Sequence, residues 1–281
     1  RPTAFLGTFD SGPNRRFPKA LFQVWGCHSL GLQPPPSRAL AQAEVRCRCS
    51  CKALYDAAGH HAQTCVSHSR SAFHRGHEDV LAVWKELSSL AEVPATVLPA
   101  QLPRPPLTGD DRHADIKWEL RTRRCVAVVG DVSIVHPFQG KGRGRETWGS
   151  YHASRLQERV NAKNKIYKKF HEDQNMMFLG LVGTTLGRLS PDAILMSFGL
   201  AHRAAEAYFV AHGLDAVSPT SGKLTPAFLL RRSNYEHRFT SRLSLALCRA
   251  AGSRGVPASA PHYRADTELA AVLAGARRRR R

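Results

Sequence analysis

The chain has 281 residues, of which 42% are hydrophobic. A sequence of this length and composition can bury the core of one large or two modest domains, which excludes a disordered protein. Its 41 Lys and Arg residues outnumber its 22 Asp and Glu residues, which gives a formal net charge of +19. Such an excess favours polyanionic partners, most simply nucleic acid. No run of eighteen apolar residues occurs in the sequence, so we expect no membrane-spanning helix.

The first 46 residues are rich in Pro, Arg and Gly and are predicted to form a partly ordered linker. We expect a short helix from about Lys19 to Trp25 and a rigid linker at the PPPS sequence of residues 34–37. The chain begins at Arg1, and its first residues lack the apolar centre of a signal peptide. We therefore expect it to be part of a longer polypeptide.

Four of the seven cysteines lie between positions 47 and 65, which favours metal ligation in a reducing compartment over a disulfide framework. Cys49-x-Cys51 and His61-x3-Cys65 supply thiolate and imidazole ligands of the kind that tetrahedral Zn²⁺ accepts. We predict a structural zinc site in a knuckle over residues 47–70. Rival ligands in this segment are Cys47, His60 and His68.

The remaining elements are predicted from hydrophobic periodicity and from Gly and Pro positions. They are a helix over 71–90, a loop over 94–106, a hairpin of 114–120 with 125–135, a helix from Ser150 or Ser154 to about His171, a strand over 177–185, helices over 192–213 and 225–251, and a disordered basic tail over 256–281.

Asp115 and Asp131 occupy the two strands of the predicted hairpin. If the turn is centred on Arg123, the two positions lie directly opposite each other, roughly 5 Å apart. Two carboxylates that close repel each other unless a cation or a proton lies between them, so the pair is a candidate Mg²⁺ site. Two surface acids on a hairpin edge would give the same pattern.

Two helices place a polar residue on an apolar face. Lys163 lies within the stripe formed by Leu156, Val160, Tyr167 and Phe170. A lysine in that position must either extend to solvent or meet an acidic partner, which Asp115 and Asp131 would supply.

His77 lies in the same way on the apolar face of the preceding helix. The residues of that face are Phe73, Val80, Leu81, Trp84 and Leu87. His77 is either a core histidine bonded to the backbone or a contact to phosphate or to the acids.

These segments, in this order, resemble the C-terminal region of non-LTR retrotransposon polyproteins, in which a CCHC zinc knuckle precedes a restriction-like endonuclease of the PD-(D/E)XK type. The segments that carry the resemblance are CSCKALYDAAGHHAQTC, RGHEDVLAVW, RHADI, DVSIVHP, KNKIY, FLGLVGTTLGRL and RLSLALCRAAG. The resemblance covers about residues 15 to 255.

The resemblance implies an α+β or α/β fold with a restriction-endonuclease-like core over residues 71–255, a small mixed sheet flanked by helices. It also implies that Asp115 and Asp131 bind Mg²⁺, that Lys163 is the catalytic lysine and that His77 belongs to the site. The implied role is nicking target DNA in the nucleus to prime reverse transcription by an upstream domain, with the RNA of the element as a further partner.

Three positions depart from the family pattern. His113 replaces a proline before the Ala-Asp pair, Ser133 replaces the strand lysine, and Thr184 replaces a glutamate. A catalytically decayed nucleic-acid-binding zinc module is therefore the alternative. A basic ribosome-associated zinc protein would explain the charge and the cysteines but not the inward Lys163.

Overall fold

The computed structural model describes residues 19–47, 51–65, 70–97, 113–122, 125–138 and 151–255. The helices are α1 (Lys19–Ser29), α2 (Pro35–Gln42), α3 (His60–Thr64), α4 (Arg70–Leu90), α5 (Arg155–Glu172), α6 (Pro191–Ala211) and α7 (Pro226–Gly255). The strands are β1 (Ala95–Thr96), β2 (Ile116–Trp118), β3 (Ala127–Val135) and β4 (Met176–Thr184).

The four strands form one mixed sheet in the order β1-β2-β3-β4. The first two pairings are antiparallel, and β3 and β4 are parallel because α5 crosses over between them. Ile116 pairs with Gly130 and Trp118 with Val128, which is the register predicted for a turn centred on residue 123. That residue itself lies outside the described part of the chain. The backbone N–H of Asp115 donates to the carbonyl of Gly130 at 2.9 Å and extends the register toward Asp131.

The main core lies on the side of the sheet that α4, α6 and α7 cover, and α5 lies against β3 and β4. Trp84 and Trp118 join α4 to β2, with ring centroids 5.8 Å apart. The indole N–H of Trp118 donates to Ser88 at 2.6 Å, so the polar atom of this buried ring is satisfied. This packing fixes the position of α4 relative to the strand entry at Asp115.

Ser190 and Asp192 hold the start of α6 against β4. The Ser190 hydroxyl accepts from the backbone N–H of Ala193 and donates to the carbonyl of Gly180 at 3.0 Å. The Asp192 carboxylate accepts from the N–H of Gly180 at 2.9 Å. The N-terminus of α6 is thereby anchored to the middle of β4.

The N-terminal segment differs from the expected linker. Residues 34–37 do not form a rigid extended spacer, because α2 begins at Pro35, where proline suits the first turn of a helix. Helix α1 continues to Ser29 and packs on α7. At Gly252 a Cβ atom would lie 2.7 Å from the carbonyl oxygen of Leu21, so this close approach requires glycine.

Among the described residues, no helix is long and apolar enough to cross a membrane. The predicted basic tail over residues 256–281 lies outside the described part of the chain.

His171, at the end of α5, is fully buried and stacks on Phe178 with an interplanar angle of 4°. Neither ring nitrogen has a hydrogen-bond partner among the residues that the structure describes. Burial therefore lowers the pKa of His171 to about 4, because the charged form is disfavoured.

This burial predicts a pH-dependent loss of stability. A buried histidine whose pKa is depressed in the folded state leaves the free energy of unfolding at its full value above the unfolded-state pKa of about 6.5. As the pH falls from about 6.5 toward 4, the unfolded state binds a proton that the folded state does not, so the free energy of unfolding decreases. We expect His171→Phe to remove about 2 to 3 kcal/mol of this decline in the free energy of unfolding. Urea denaturation at several pH values measures it, with His237→Gln, an exposed position on α7, as control. Equal slopes for the wild type and His171→Phe would contradict the prediction.

Candidate functional site

Asp131 lies in the middle of β3, and its side chain points toward α5 rather than toward the main core. Asp115 precedes β2 and faces the same cleft, which has a volume of about 590 Å³. Lys163 and His77 line this cleft as well. The structure thus brings together the four residues that the sequence placed in a candidate catalytic site.

Lys163 reaches Asp131 from the third turn of α5. Its Nζ donates to Oδ2 of Asp131 at 2.9 Å and lies 2.6 Å from Oδ1. The side chains are 15% and 3% exposed, so the ion pair is largely buried. Lys165, Lys168 and Lys169 on the same helix are exposed. Of these lysines, Lys163 is the one that pairs with Asp131, one of the two outcomes that its place on the apolar stripe left open.

His77 contacts Asp115 from α4. Its Nε2 lies 3.2 Å from Oδ2 of Asp115, and the same oxygen accepts from the backbone N–H of Val132 at 2.6 Å. The hydrogen bond to Asp115 raises the pKa of His77, although burial opposes this. His77 is thus an acid contact, one of the two roles left open by the sequence.

Asp131 is the more buried of the two acids in the cleft. Burial raises the pKa of its carboxyl group, Lys163 opposes the rise, and the neighbouring Asp115 adds to it. Both oxygens of Asp131 lie within 3 Å of the Lys163 ammonium, so this carboxylate is already paired in the cleft. Carboxylate oxygens are the ligands that Mg²⁺ prefers, and Asp115 and Asp131 are the residues of the cleft that could hold such an ion.

Ser133 and Thr184, which depart from the pattern expected of a restriction-like endonuclease, have different surroundings. Ser133 lines the cleft, and its hydroxyl accepts from Nε of Arg159 at 3.3 Å. Thr184 is buried at the end of β4, where its hydroxyl accepts from the backbone N–H of Arg188. Thr184 lines a separate cavity beside Tyr151 and not the acidic cleft.

The cleft also contains two residues that the sequence did not reveal. Arg159 lies one helical turn before Lys163, so the i, i+4 spacing could have indicated it. Arg254 comes from the last turn of α7, far away in the chain, and no local pattern pointed to it.

A second cluster consists of four soft metal ligands. They are Cys47, Cys51, His61 and Cys65, whose ligand atoms all lie within 4.8 Å of one another. The Sγ atom of Cys65 is 3.9 Å from Sγ of Cys47 and of Cys51, close to the roughly 3.8 Å that a tetrahedron with Zn–S bonds of about 2.3 Å requires. This Cys3His cluster could hold zinc.

The cluster includes Cys47, which the sequence suggested only as a rival ligand. Cys49 and His68 lie outside the described residues, while His60 points away from the cluster. The carboxylate of Asp56 accepts from the backbone N–H groups of His60 and His61 and thereby fixes the start of α3. His61 is held in position to act as a ligand.

His60 connects the Cys3His cluster to the sheet. Its Nδ1 lies 2.9 Å from Nε2 of His136, whose Nδ1 lies 2.7 Å from the hydroxyl of Thr185. Gln63 also donates to the carbonyl of Ala251 on α7 at 2.8 Å. The cysteine-rich segment is therefore docked on the end of β3 and on α7.

A comparison of the chain with protein-family models gave no match, and a comparison with curated proteins gave none either. The small mixed four-stranded sheet with helices and the Cys3His cluster are what the structure establishes.

Lys163→Met is expected to destabilise the fold by about 3 kcal/mol, because it leaves Asp131 buried without its counter-ion. Lys168→Met removes an exposed pair with Glu172 on the same helix and is expected to cost less than about 0.5 kcal/mol. Chemical denaturation measures both, and adding Asp131→Asn to Lys163→Met should restore part of the loss. Equal effects of the two lysine variants would show that the buried pair contributes no more than an exposed one.

Cys47→Ser is expected to lower zinc occupancy and the melting temperature, because a structural zinc site contributes directly to folding. Cys49→Ser should retain one zinc per chain, since the cluster has four ligands without it. Elemental analysis of purified protein and a chelator titration measure these outcomes. Loss of zinc in Cys49→Ser with retention in Cys47→Ser would reverse the ligand assignment.

Proposed function

We propose that the chain is the Mg²⁺-dependent DNA endonuclease domain of a non-LTR retroelement and that it nicks target DNA to prime reverse transcription. One observation supports this proposal above all others. Lys163, an inward-facing lysine on α5, meets Asp131 in the cleft that also holds Asp115 and His77. A binding module needs no buried lysine beside two carboxylates, whereas phosphodiester hydrolysis uses such a set.

Each of these residues has a chemical role in the proposed reaction. Asp115 and Asp131 would hold the metal, and Mg²⁺ bound there would supply Lewis-acid activation of the phosphate and of water. Lys163 carries positive charge at the position where negative charge develops on the phosphate oxygens. His77 fixes the orientation of the Asp115 carboxylate through the contact between Nε2 and Oδ2. The positioning of Lys163 on α5 compensates for the serine at position 133.

The surroundings of the cleft fit a nucleic-acid substrate. The net charge of +19 supplies phosphate contacts along the chain, and the Cys3His cluster is docked beside β3, the strand that carries Asp131. In this proposal the partners are target DNA, the RNA of the element and an upstream reverse transcriptase domain of the parent polyprotein, in the nucleus.

A catalytically decayed nucleic-acid-binding zinc module is the second candidate function. It is favoured by Thr184, which replaces the glutamate of the family pattern and faces a different cavity. Among the described residues that line the cleft, Asp115 and Asp131 are the only acids. The nicking measurement below separates the two functions.

Asp131→Asn is expected to abolish Mg²⁺-dependent nicking of supercoiled plasmid, a loss of at least about 100-fold, while DNA affinity falls less than about threefold. The substitution removes a metal-binding charge but keeps the shape of the side chain. Asp173→Asn, an exposed acid beyond the end of α5, serves as control because it lies outside the cleft. Undiminished nicking by Asp131→Asn would refute the endonuclease assignment, and an inactive wild type that binds DNA would support the decayed module.

A further inference from the structure

Arg254 is a buried cation in the wall of the acidic cleft. Arg254 is only 2% exposed to solvent, and it lines the same cavity as Asp115 and Asp131. The guanidinium carbon lies 3.7 Å from the centre of the Phe73 ring, which holds the side chain by a cation–π contact. The backbone of the last turn of α7 and the Phe73 ring of α4 thus hold this charge in place.

No described residue provides Arg254 with a counter-ion. It makes no ion pair or hydrogen bond among the described residues, and its buried Nε has no partner. Two other cations with little exposed surface do have acids beside them, since Lys163 pairs with Asp131 and Arg242 with Glu86 at 2.8 Å. A buried charge without compensation is costly, and the carbonyl end of α7 supplies only a partial negative charge.

Arg159 supplies a second guanidinium group to the cleft. It comes from α5, is exposed to solvent, and its Nε contacts Ser133. Arg159 therefore lies at the open side of the cavity, and the almost fully buried Arg254 lies in its wall. Guanidinium groups match the geometry of phosphate oxygens and bind them bidentately.

We propose that Arg254 binds a backbone phosphate of the nucleic acid that enters the cleft, with Arg159 contacting the strand at the mouth. The inference rests on the proposed function insofar as the phosphate belongs to DNA. The buried guanidinium group is a preformed anion site, and the bound strand supplies the charge that the protein lacks. The phosphate contact orients the strand relative to Asp131 and Lys163.

The first test uses inorganic phosphate and the full-length, zinc-loaded chain without Mg²⁺. Phosphate is expected to raise the melting temperature of the wild type saturably, by about 3 °C at ten times the dissociation constant. Arg254→Met should lose the saturable rise and, without phosphate, melt no lower than the wild type, because an uncompensated buried charge has been removed. Arg231→Met, which removes another α7 arginine held over an aromatic ring, should keep the rise.

A saturable rise that persists in Arg254→Met would refute the anion site, as would a wild type without any rise. If Arg254→Met does not fold, Arg254→Lys takes its place. It keeps the charge but loses the planar fork, so phosphate should bind at least about tenfold more weakly. Unchanged phosphate affinity in Arg254→Lys would also refute the proposal.

The second test asks whether the bound phosphate belongs to nucleic acid. Binding of a 20-base-pair duplex is measured against salt in an Asp131→Asn background, so that cleavage does not interfere. Adding Arg254→Met should reduce the magnitude of the salt slope by about one unit, whereas Arg203→Met, whose arginine pairs with Glu206 outside the cleft, should leave it unchanged. A phosphate-dependent melting shift with no change in slope would identify a site for free phosphate and refute the nucleic-acid assignment.

The two proposals can fail independently. Unchanged nicking by the Asp131→Asn variant would remove the catalytic assignment but would leave the Arg254 phosphate effect intact. Loss of nicking in Asp131→Asn with no effect of Arg254 substitution would preserve the nuclease and refute the phosphate site.

Discussion

The buried ion pair between Asp131 and Lys163 is the constraint on which the site depends. A carboxylate in the middle of a sheet strand cannot be desolvated without compensation, and Lys163 is the cation that reaches it. This requirement fixes the rotation of α5 about its axis, with Val160 and Tyr167 buried on either side of the lysine. It also explains why a helix rich in lysine packs against the sheet through one face only.

The topology of the sheet explains how the residues of the acidic cleft come together. Because β3 and β4 are parallel, α5 must cross over between them, and the crossover brings Lys163 and Arg159 to the cleft. From the other side, α4 contributes His77, which contacts Asp115 at the entry to β2. Residues from two helices and two strand segments therefore meet in one cavity, as metal-assisted hydrolysis would require.

Helix α7 joins the remaining parts of the molecule. Its C-terminal half packs on α1 and α4, accepts a hydrogen bond from Gln63 near the Cys3His cluster, and ends with Arg254 in the cleft. The Cys3His cluster therefore lies against the fold that carries the acids, through α7 and through the contact of His60 with His136.

The sequence by itself determined the five longer helices, the strands β2 to β4, the register of β2 on β3 and the inward position of Lys163, because each of these follows from local periodicity or from spacing about one turn. It did not determine β1, which lies within the segment predicted as a loop over 94–106. It did not determine the helix at the PPPS segment, where proline occupies the first turn of α2. Nor did it select Cys47 as a member of the ligand cluster, because Cys47, Cys49 and Cys51 occupy alternate positions and the sequence does not distinguish them as ligands. The tertiary structure alone decided the contact of His77 with Asp115 and the entry of Arg254 into the cleft, because contacts between segments so far apart depend on how the helices pack against the sheet.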